Sequence, residues 1–120
     1  MSLAYARERI QFDRPICSLQ AIQFYCVDMS IDVDASRFIS YKAPMMFSEG
    51  LSCDHEVSIA KAWISEAYKQ VTALVHQIHA AIGFTEDHDL HMYLKRARTI
   101  ELWPGNADYH RERIARAVLN

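Results

Sequence analysis

Polar side chains that a packed core does not explain occur in the segment Tyr5–Phe24, which reads YARERIQFDRPICSLQAIQF. Three of them are Arg9, Gln20 and Gln23. A guanidinium donates hydrogen bonds from a rigid planar fork, and a glutamine amide both donates and accepts them. These groups are suited to holding a polar ligand, so we expect this segment to bear on function.

Histidine pairs form a second set of residues with chemical potential. His76 and His79 are three residues apart, as are His88 and His91. On a helix this spacing can place two metal ligands on one face. However, the sequence has no HExxH motif and no duplicated Glu-x-x-His. We therefore predict surface or core histidines and no metal site, with a metal bundle through His88 and His91 as a minor alternative.

The composition indicates a single soluble domain over residues 1–120. Of the 120 residues, 51% are hydrophobic and 23% are charged, which suits a globular chain with a real core. The net charge of -2 gives no basic surface, so we expect no nucleic-acid partner. No apolar run approaches the roughly 18 residues of a membrane span, and Arg7, Glu8 and Arg9 interrupt any signal peptide.

The three cysteines are odd in number and form no CxxC pair. Reduced thiols are typical of proteins in the cytosol. The sequence therefore predicts a cytoplasmic protein that neither crosses nor binds a membrane.

The spacing of apolar residues predicts long helices. After Pro15, small or apolar residues recur at alternating steps of three and four, at Leu19, Ile22, Cys26, Met29, Val33, Ser36, Ser40, Ala43 and Phe47. A second stripe on the same helix contains Phe24, Ile31, Ala35, Phe38 and Met45. A helix with two apolar stripes is either central in a bundle or supplies a subunit contact.

Further helices follow between turn residues. Gly50 predicts the end of the long helix, Ser52 or Asp54 the start of the next, and Gly83 its end. A fourth helix would begin at Thr85 or Asp87 and end at Pro104-Gly105, and Asn106 would cap a last one. No segment alternates with period two for long enough to predict a strand. The fold class is therefore all-α, an antiparallel four-helix up-and-down bundle with a short extra terminal helix.

Several motifs in one order give the chain a family resemblance. They are Tyr5–Phe24, Ser58-Ile59-Ala60-Lys61, Gln77-Ile78-His79 with Gly83-Phe84-Thr85, Tyr93-Leu94-Lys95-Arg96-Ala97-Arg98, and Tyr109-His110-Arg111-Glu112-Arg113-Ile114-Ala115. Together they resemble the C-terminal helical domain of acyl-CoA dehydrogenases across nearly the whole chain.

The resemblance implies a flavin-dependent oxidoreductase acting on CH–CH donors. In this family FAD takes a hydride from acyl-CoA thioesters after a carboxylate base removes the α proton. Members are homodimers or homotetramers, and this domain reaches the FAD of a neighbouring subunit. The residues that match the family's cofactor-binding motif are Arg9, Phe12, Gln20 and Gln77. The arginine would pair with pyrophosphate, and the glutamine amides would bind adenine or ribose edges.

The chain departs from the family pattern at the catalytic position. The family's usual glutamate before a glycine corresponds to Pro104, which has no ionisable side chain and cannot act as a base. Glu101, three residues earlier, is a poor substitute. The chain also corresponds to the last of the family's three domains. We therefore predict no catalytic residue in this chain and no dehydrogenase activity by it alone. Separate chains that supply the other domains are one alternative.

The cofactor motif is altered as well. Alanine occupies two glycine positions of Gln-x-x-Gly-Gly-x-Gly-Phe, at Ala80 and Ala81, and Asp13 replaces a glycine in the first turn. An added Cβ obstructs close approach of the backbone to a phosphate. This favours an alternative in which the chain is a non-catalytic bundle for oligomerisation or partner binding that has lost FAD binding.

Overall fold

The structure is a computed structural model that describes residues 1–85 and 88–119. Its helices are α1 (Ser2–Glu8), α2 (Gln20–Ser48), α3 (Asp54–His79), α4 (Leu90–Leu102) and α5 (Ala107–Leu119). Two-residue strands β1 (Ile10–Gln11) and β2 (Arg14–Pro15) form a hairpin, and 3-10 turns span Ile16–Ser18 and Ala80–Phe84. The bundle is elongated, 58 × 26 × 25 Å. The predicted all-α class is confirmed.

The central helix is α3, which packs against α1, α2, α4 and α5. Its antiparallel pairing with α2 is visible at both ends. Near one end, Gln77 Nε2 donates to the Tyr25 hydroxyl at 3.1 Å. Near the other, Lys42 Nζ lies 3.4 Å from Glu56 Oε1. The central position in the bundle thus belongs to α3 rather than to α2.

The two faces of α2 differ sharply in exposure. Met29 and Ala43, on the face toward α3, are buried. Phe24, Ile31, Phe38 and Met45 of the second stripe are exposed, each by more than half. The helix is therefore covered on the side toward α3, but only in part, since Val33 and Phe47 of the first stripe are also exposed.

Two of the predicted joints are confirmed. Gly50 follows the end of α2 with φ +72°, a left-handed conformation that suits glycine after a helix. Asn106 precedes α5, and its Oδ1 accepts a hydrogen bond from the Tyr109 backbone N–H at 2.9 Å. That bond satisfies one of the free N–H groups of the first helical turn.

Three sequence predictions about the chain's path are wrong. The β1–β2 hairpin pairs Ile10 with Pro15, and strands this short leave no alternation to detect. Helix α3 ends at His79 rather than at Gly83, because Ala80 takes a positive φ of 51°. Helix α4 begins at Leu90 rather than at Thr85, while the alternative start at Asp87 lies outside the described residues.

The core that positions the candidate site lies where α1, α2 and α3 meet. Its buried members are Ala6, Ile16, Met29 and Ile78. Ala6 is completely buried although α1 has only seven residues. The hairpin follows α1 and contacts it through β2, so the docking of α1 on α3 sets the position of the hairpin. Within the described part of the chain, no helix is long and apolar enough to cross a bilayer.

Candidate functional site

A groove of about 410 Å³ lies between the hairpin and the turn that follows α3. Arg9 and Phe12 line one side of it, and Ala80, Ala81 and Ile82 line the other. Residues about 70 positions apart in the sequence thus form one concave surface. The groove joins two of the motifs that carry the family resemblance.

The hairpin turn presents an aromatic ring at the groove. Phe12 and Asp13, the two residues between the strands, have φ of 53° and 59°. Two successive positive φ values are typical of the type I′ hairpin turn, which favours asparagine and glycine. Phe12 is 82% exposed in this strained conformation. Asp13 therefore has the positive φ that a glycine would adopt more easily at this position.

The opposite wall also holds a residue in a conformation that suits glycine. Ala80 has φ 51° and ψ -135°, a region that essentially only glycine populates without strain. Its backbone N–H donates to the carbonyl of His76 and closes the last turn of α3. The backbone geometry explains why a glycine would suit this position, and the alanine adds a Cβ to the groove wall.

The floor of the groove is a stacked pair of rings. Tyr5 of α1 lies on His79 of α3 with ring centroids 4.3 Å apart and planes 22° apart. His79 Nδ1 donates to the Val75 carbonyl at 2.9 Å, since a carbonyl can only accept. Burial lowers the pKa of His79, and the nearby imidazole of His88 lowers it further. The lowered pKa favours the neutral form of the His79 imidazole.

The two predicted glutamines have different positions. Gln20 is exposed at the first residue of α2, beside the groove-lining Leu19. Gln77 directs its amide to the Tyr25 hydroxyl of α2, at 3.1 Å, and is not among the groove residues. The structure thus brings Arg9 and Phe12 together, with Gln20 close by in the chain, and gives Gln77 a bridging contact between helices.

The turn between α4 and α5 presents no free carboxylate at the family's catalytic position. Pro104 occupies it, and its carbonyl accepts a hydrogen bond from His110 Nε2 at 3.3 Å. Glu101 is bound by Lys69 at 3.0 Å and by Arg98 at 3.2 Å. The hydrogen bond from Lys69 lowers the pKa of Glu101, with Arg98 adding to the effect. A carboxylate held in this way is a weak base.

Two groove residues were missed by sequence reasoning. In the sequence, Tyr5 has no signal beyond its place at the start of the segment Tyr5–Phe24, and the spacing of His79 predicts only a surface or core histidine. His76 and His79 are indeed buried, each with its Nδ1 bonded to a carbonyl one turn earlier. Only the contact between α1 and α3 shows that Tyr5 and His79 belong together. Across residues 1–85 and 88–119, no three histidine, cysteine or acidic side chains are grouped as metal ligands.

Comparison with known proteins identifies the fold and its class. Residues 1–119 match the family model described as acyl-CoA dehydrogenase, C-terminal domain. The chain also superposes on butyryl-CoA dehydrogenase from Megasphaera elsdenii with a TM-score of 0.95 and 27% identity, covering 99% of this chain and 31% of that one. The helical bundle is thus of the type found in flavin-dependent oxidoreductases. The chain belongs to the acyl-CoA dehydrogenase family and corresponds to its C-terminal domain.

Curated relatives agree with this assignment. The chain is 34% identical over 119 residues to acryloyl-CoA reductase (NADH) from Anaerotignum propionicum, covering 99% of this chain and 30% of that protein. It is 35% identical over 118 residues to the probable acyl-CoA dehydrogenase YngJ of Bacillus subtilis (strain 168), covering 98% and 31%. The chain therefore spans about a third of the length of these relatives.

Proposed function

We propose that this bundle contributes the groove containing Arg9 and Phe12 to an FAD-dependent oxidoreductase that acts on the CH–CH bond of acyl-CoA thioesters. The observation that carries the proposal is the meeting of the hairpin and the Ala80–Ile82 turn at one concave surface. Membership of the acyl-CoA dehydrogenase family is the reason for proposing FAD as the cofactor and acyl-CoA thioesters as the substrate class. Fatty acid metabolism is the corresponding process.

The residues present suit a part of the cofactor rather than the whole of it. The exposed Arg9 would pair with the pyrophosphate, and the Phe12 ring would offer an apolar surface beside it. Gln20 would bind a polar edge at the start of α2, whereas Gln77 would act by holding α2 and α3 together through Tyr25. When bound, FAD accepts the hydride. At the position of the family's usual base this chain has Pro104, which cannot accept a proton, and the nearby Glu101 is held by Lys69.

A titration with FAD, followed by flavin fluorescence, tests the proposal. Arg9→Ala should weaken binding about 10- to 100-fold, the effect of one hydrogen bond to a charged group. Arg14→Ala is the matched control, since Arg14 lies in the same hairpin but is not among the groove residues. Equal effects of the two changes, or no FAD binding by the wild type, would contradict the proposal. We also expect no turnover of acyl-CoA with an artificial electron acceptor by the chain alone.

A second candidate function is a non-catalytic bundle that assembles with itself or with a partner. Two observations favour it: the extra Cβ atom of Ala80 at the groove and the exposed apolar stripe of α2. In both functions we propose a homodimer or homotetramer, with separate chains as possible sources of the family's other domains. A colourless protein that gains no flavin on titration supports this second function over the first.

We place the protein in the cytoplasm on the basis of its thiols. Cys17, Cys26 and Cys53 are all free. Partial burial raises the pKa of the Cys26 thiol, and the neighbouring Cys17 raises it further, so that thiol is a poor nucleophile. Expression with a fluorescent fusion tests the location, and a secreted product would contradict it.

A further inference from the structure

A second groove, of about 430 Å³, lies between α2 and α3, and we call it the α2–α3 groove. Its surface is mostly apolar, and its apolar lining residues are Val33, Ile64, Ala67 and Val71. The volume falls in the range of small-molecule pockets, about 300–1,000 Å³. The groove shares no residue with the one lined by Arg9 and Phe12, so it is a separate site.

One carboxylate oxygen of the α2–α3 groove is buried without a partner. Asp32 of α2 lines the groove, and its Oδ2 atom is out of contact with solvent. Within residues 1–85 and 88–119, no hydrogen-bond donor reaches that atom. Removing a charged oxygen from water is costly unless a donor compensates for it. A cationic ligand with N–H donors would remove this cost, so the groove is suited to such a ligand.

The hydroxyl groups that follow Asp32 along α2 are suited to the same ligand. Ser36 Oγ donates to the Asp32 carbonyl at 2.6 Å, and Ser40 Oγ donates to the Arg37 carbonyl at 2.9 Å. Because each hydroxyl has one hydrogen and gives it to the backbone, its oxygen can only accept from a ligand. Asp32, Ser36 and Ser40 are four residues apart, so they follow one face of the helix. A primary ammonium group has three N–H donors and matches this row of acceptors.

The remaining groove residues favour an organic cation over a metal ion. A divalent metal takes about six oxygen ligands, which the apolar wall of α3 does not offer. Tyr68 of α3 adds an aromatic ring, and cations are attracted to the faces of such rings. Arg37 also borders the groove, but its side chain is 69% exposed and lies 3.5 Å from the Asp34 carboxylate, so its charge is largely screened.

We propose that the α2–α3 groove binds a small apolar primary amine in its protonated form, with the Asp32 carboxylate as the counter-ion. An apolar body of about six to eight carbon atoms suits the volume of the groove. The proposal goes beyond the flavin-dependent function and does not depend on it, because the two sites have no residue in common.

A titration of the isotope-labelled chain with hexylammonium chloride, without FAD, tests the proposal by nuclear magnetic resonance. At about pH 7 an aliphatic amine is protonated. The backbone amide signals of residues 32–40 and 64–71 should shift and saturate, with a Kd of about 0.1–10 mM. Neutral hexanol has the same apolar body without the charge, and it should bind at least about 10-fold more weakly.

Two aspartate variants test the counter-ion. Asp32→Asn should weaken hexylammonium binding about 10- to 100-fold, the effect of one hydrogen bond to a charged group. Its circular dichroism should be unchanged, because Oδ2 has no bond to lose in the described part of the chain. Asp28→Asn is the matched control, since it makes the same change of charge at an exposed residue of α2 outside the groove. Binding to that variant should stay within about twofold of wild type.

A third variant tests the groove itself. Ser40→Leu, at an exposed residue that lines the groove, should weaken binding at least about 5-fold, because the larger side chain occupies the space of the ligand. A wild type without saturable shifts below about 50 mM would overturn the proposal. Equal binding of hexanol and hexylammonium, or equal effects of the two aspartate changes, would overturn it as well.

Discussion

The backbone strain at Ala80, in the groove wall, can be tested by replacing this residue with glycine. Its φ of 51° and ψ of -135° cost an alanine about 1–3 kcal/mol relative to a relaxed conformation. Glycine removes most of this strain but gains unfolded-state entropy worth about 0.4–1 kcal/mol. Ala80 is exposed, so little packing is lost with its Cβ. The Ala80→Gly variant should therefore be more stable by about 0.5–2 kcal/mol.

Thermal unfolding followed by circular dichroism measures this difference. For a chain of this size, 1 kcal/mol corresponds to a rise in Tm of about 3–6 °C. Ala81→Gly is the matched control, because Ala81 is exposed in the same turn and its φ is not positive. That change should leave the free energy of unfolding equal or lower it by up to about 1 kcal/mol. If the two glycine variants have the same Tm, the strain assigned to Ala80 is refuted.

Three further predictions concern the rest of the bundle. Burial lowers the pKa of His79 below its usual value of 6.5, so the stability contributed by its neutral form is complete above pH 6.5 and is lost as the pH falls through the lowered pKa. In urea unfolding between pH 7 and 5, His79→Gln should therefore reduce the dependence of the free energy of unfolding on pH. Lys61 donates to the Ile100 carbonyl at the end of α4, so Lys61→Met should lower the free energy of unfolding by about 1–3 kcal/mol, and an unchanged urea midpoint would contradict this. At Gly105 the φ is +102° and an added Cβ would lie 2.7 Å from Tyr109 Cδ1, so Gly105→Ala should lower Tm by at least about 6 °C in a thermal scan.

The long helices could be predicted from the sequence because their signals are local. The steps of three and four from Leu19 predicted α2 nearly to its last residue, and Asn106 marked the start of α5. The hairpin could not be predicted in this way. Its strands have two residues each, and its turn uses Phe12 and Asp13 where asparagine and glycine would have been recognisable.

The candidate site was predictable only in part, for a similar reason. The family's cofactor-binding motif predicted Arg9 and Phe12 as site residues, and both line the groove. The position of Gln77 depends on Tyr25, which lies 52 residues away on another helix. The end of α3 depends on a backbone angle at Ala80 that an alanine rarely adopts, so the sequence pointed to Gly83 instead. Contacts between helices, rather than local spacing, decide these features.

The packing of Tyr5 on His79 has a consequence for how the groove opens. A helix of seven residues is too short to persist by itself in water, so α1 stays folded through Ala6 in the core and the Tyr5 ring on α3. The hairpin has two strand residues on each side and follows α1 directly, so it depends on the same docking. We expect α1 and the hairpin to exchange their amide protons together, as one local unfolding unit that detaches before the α2–α3 pair does. Arg9 and Phe12 would then be present at the groove only as often as this first segment is docked.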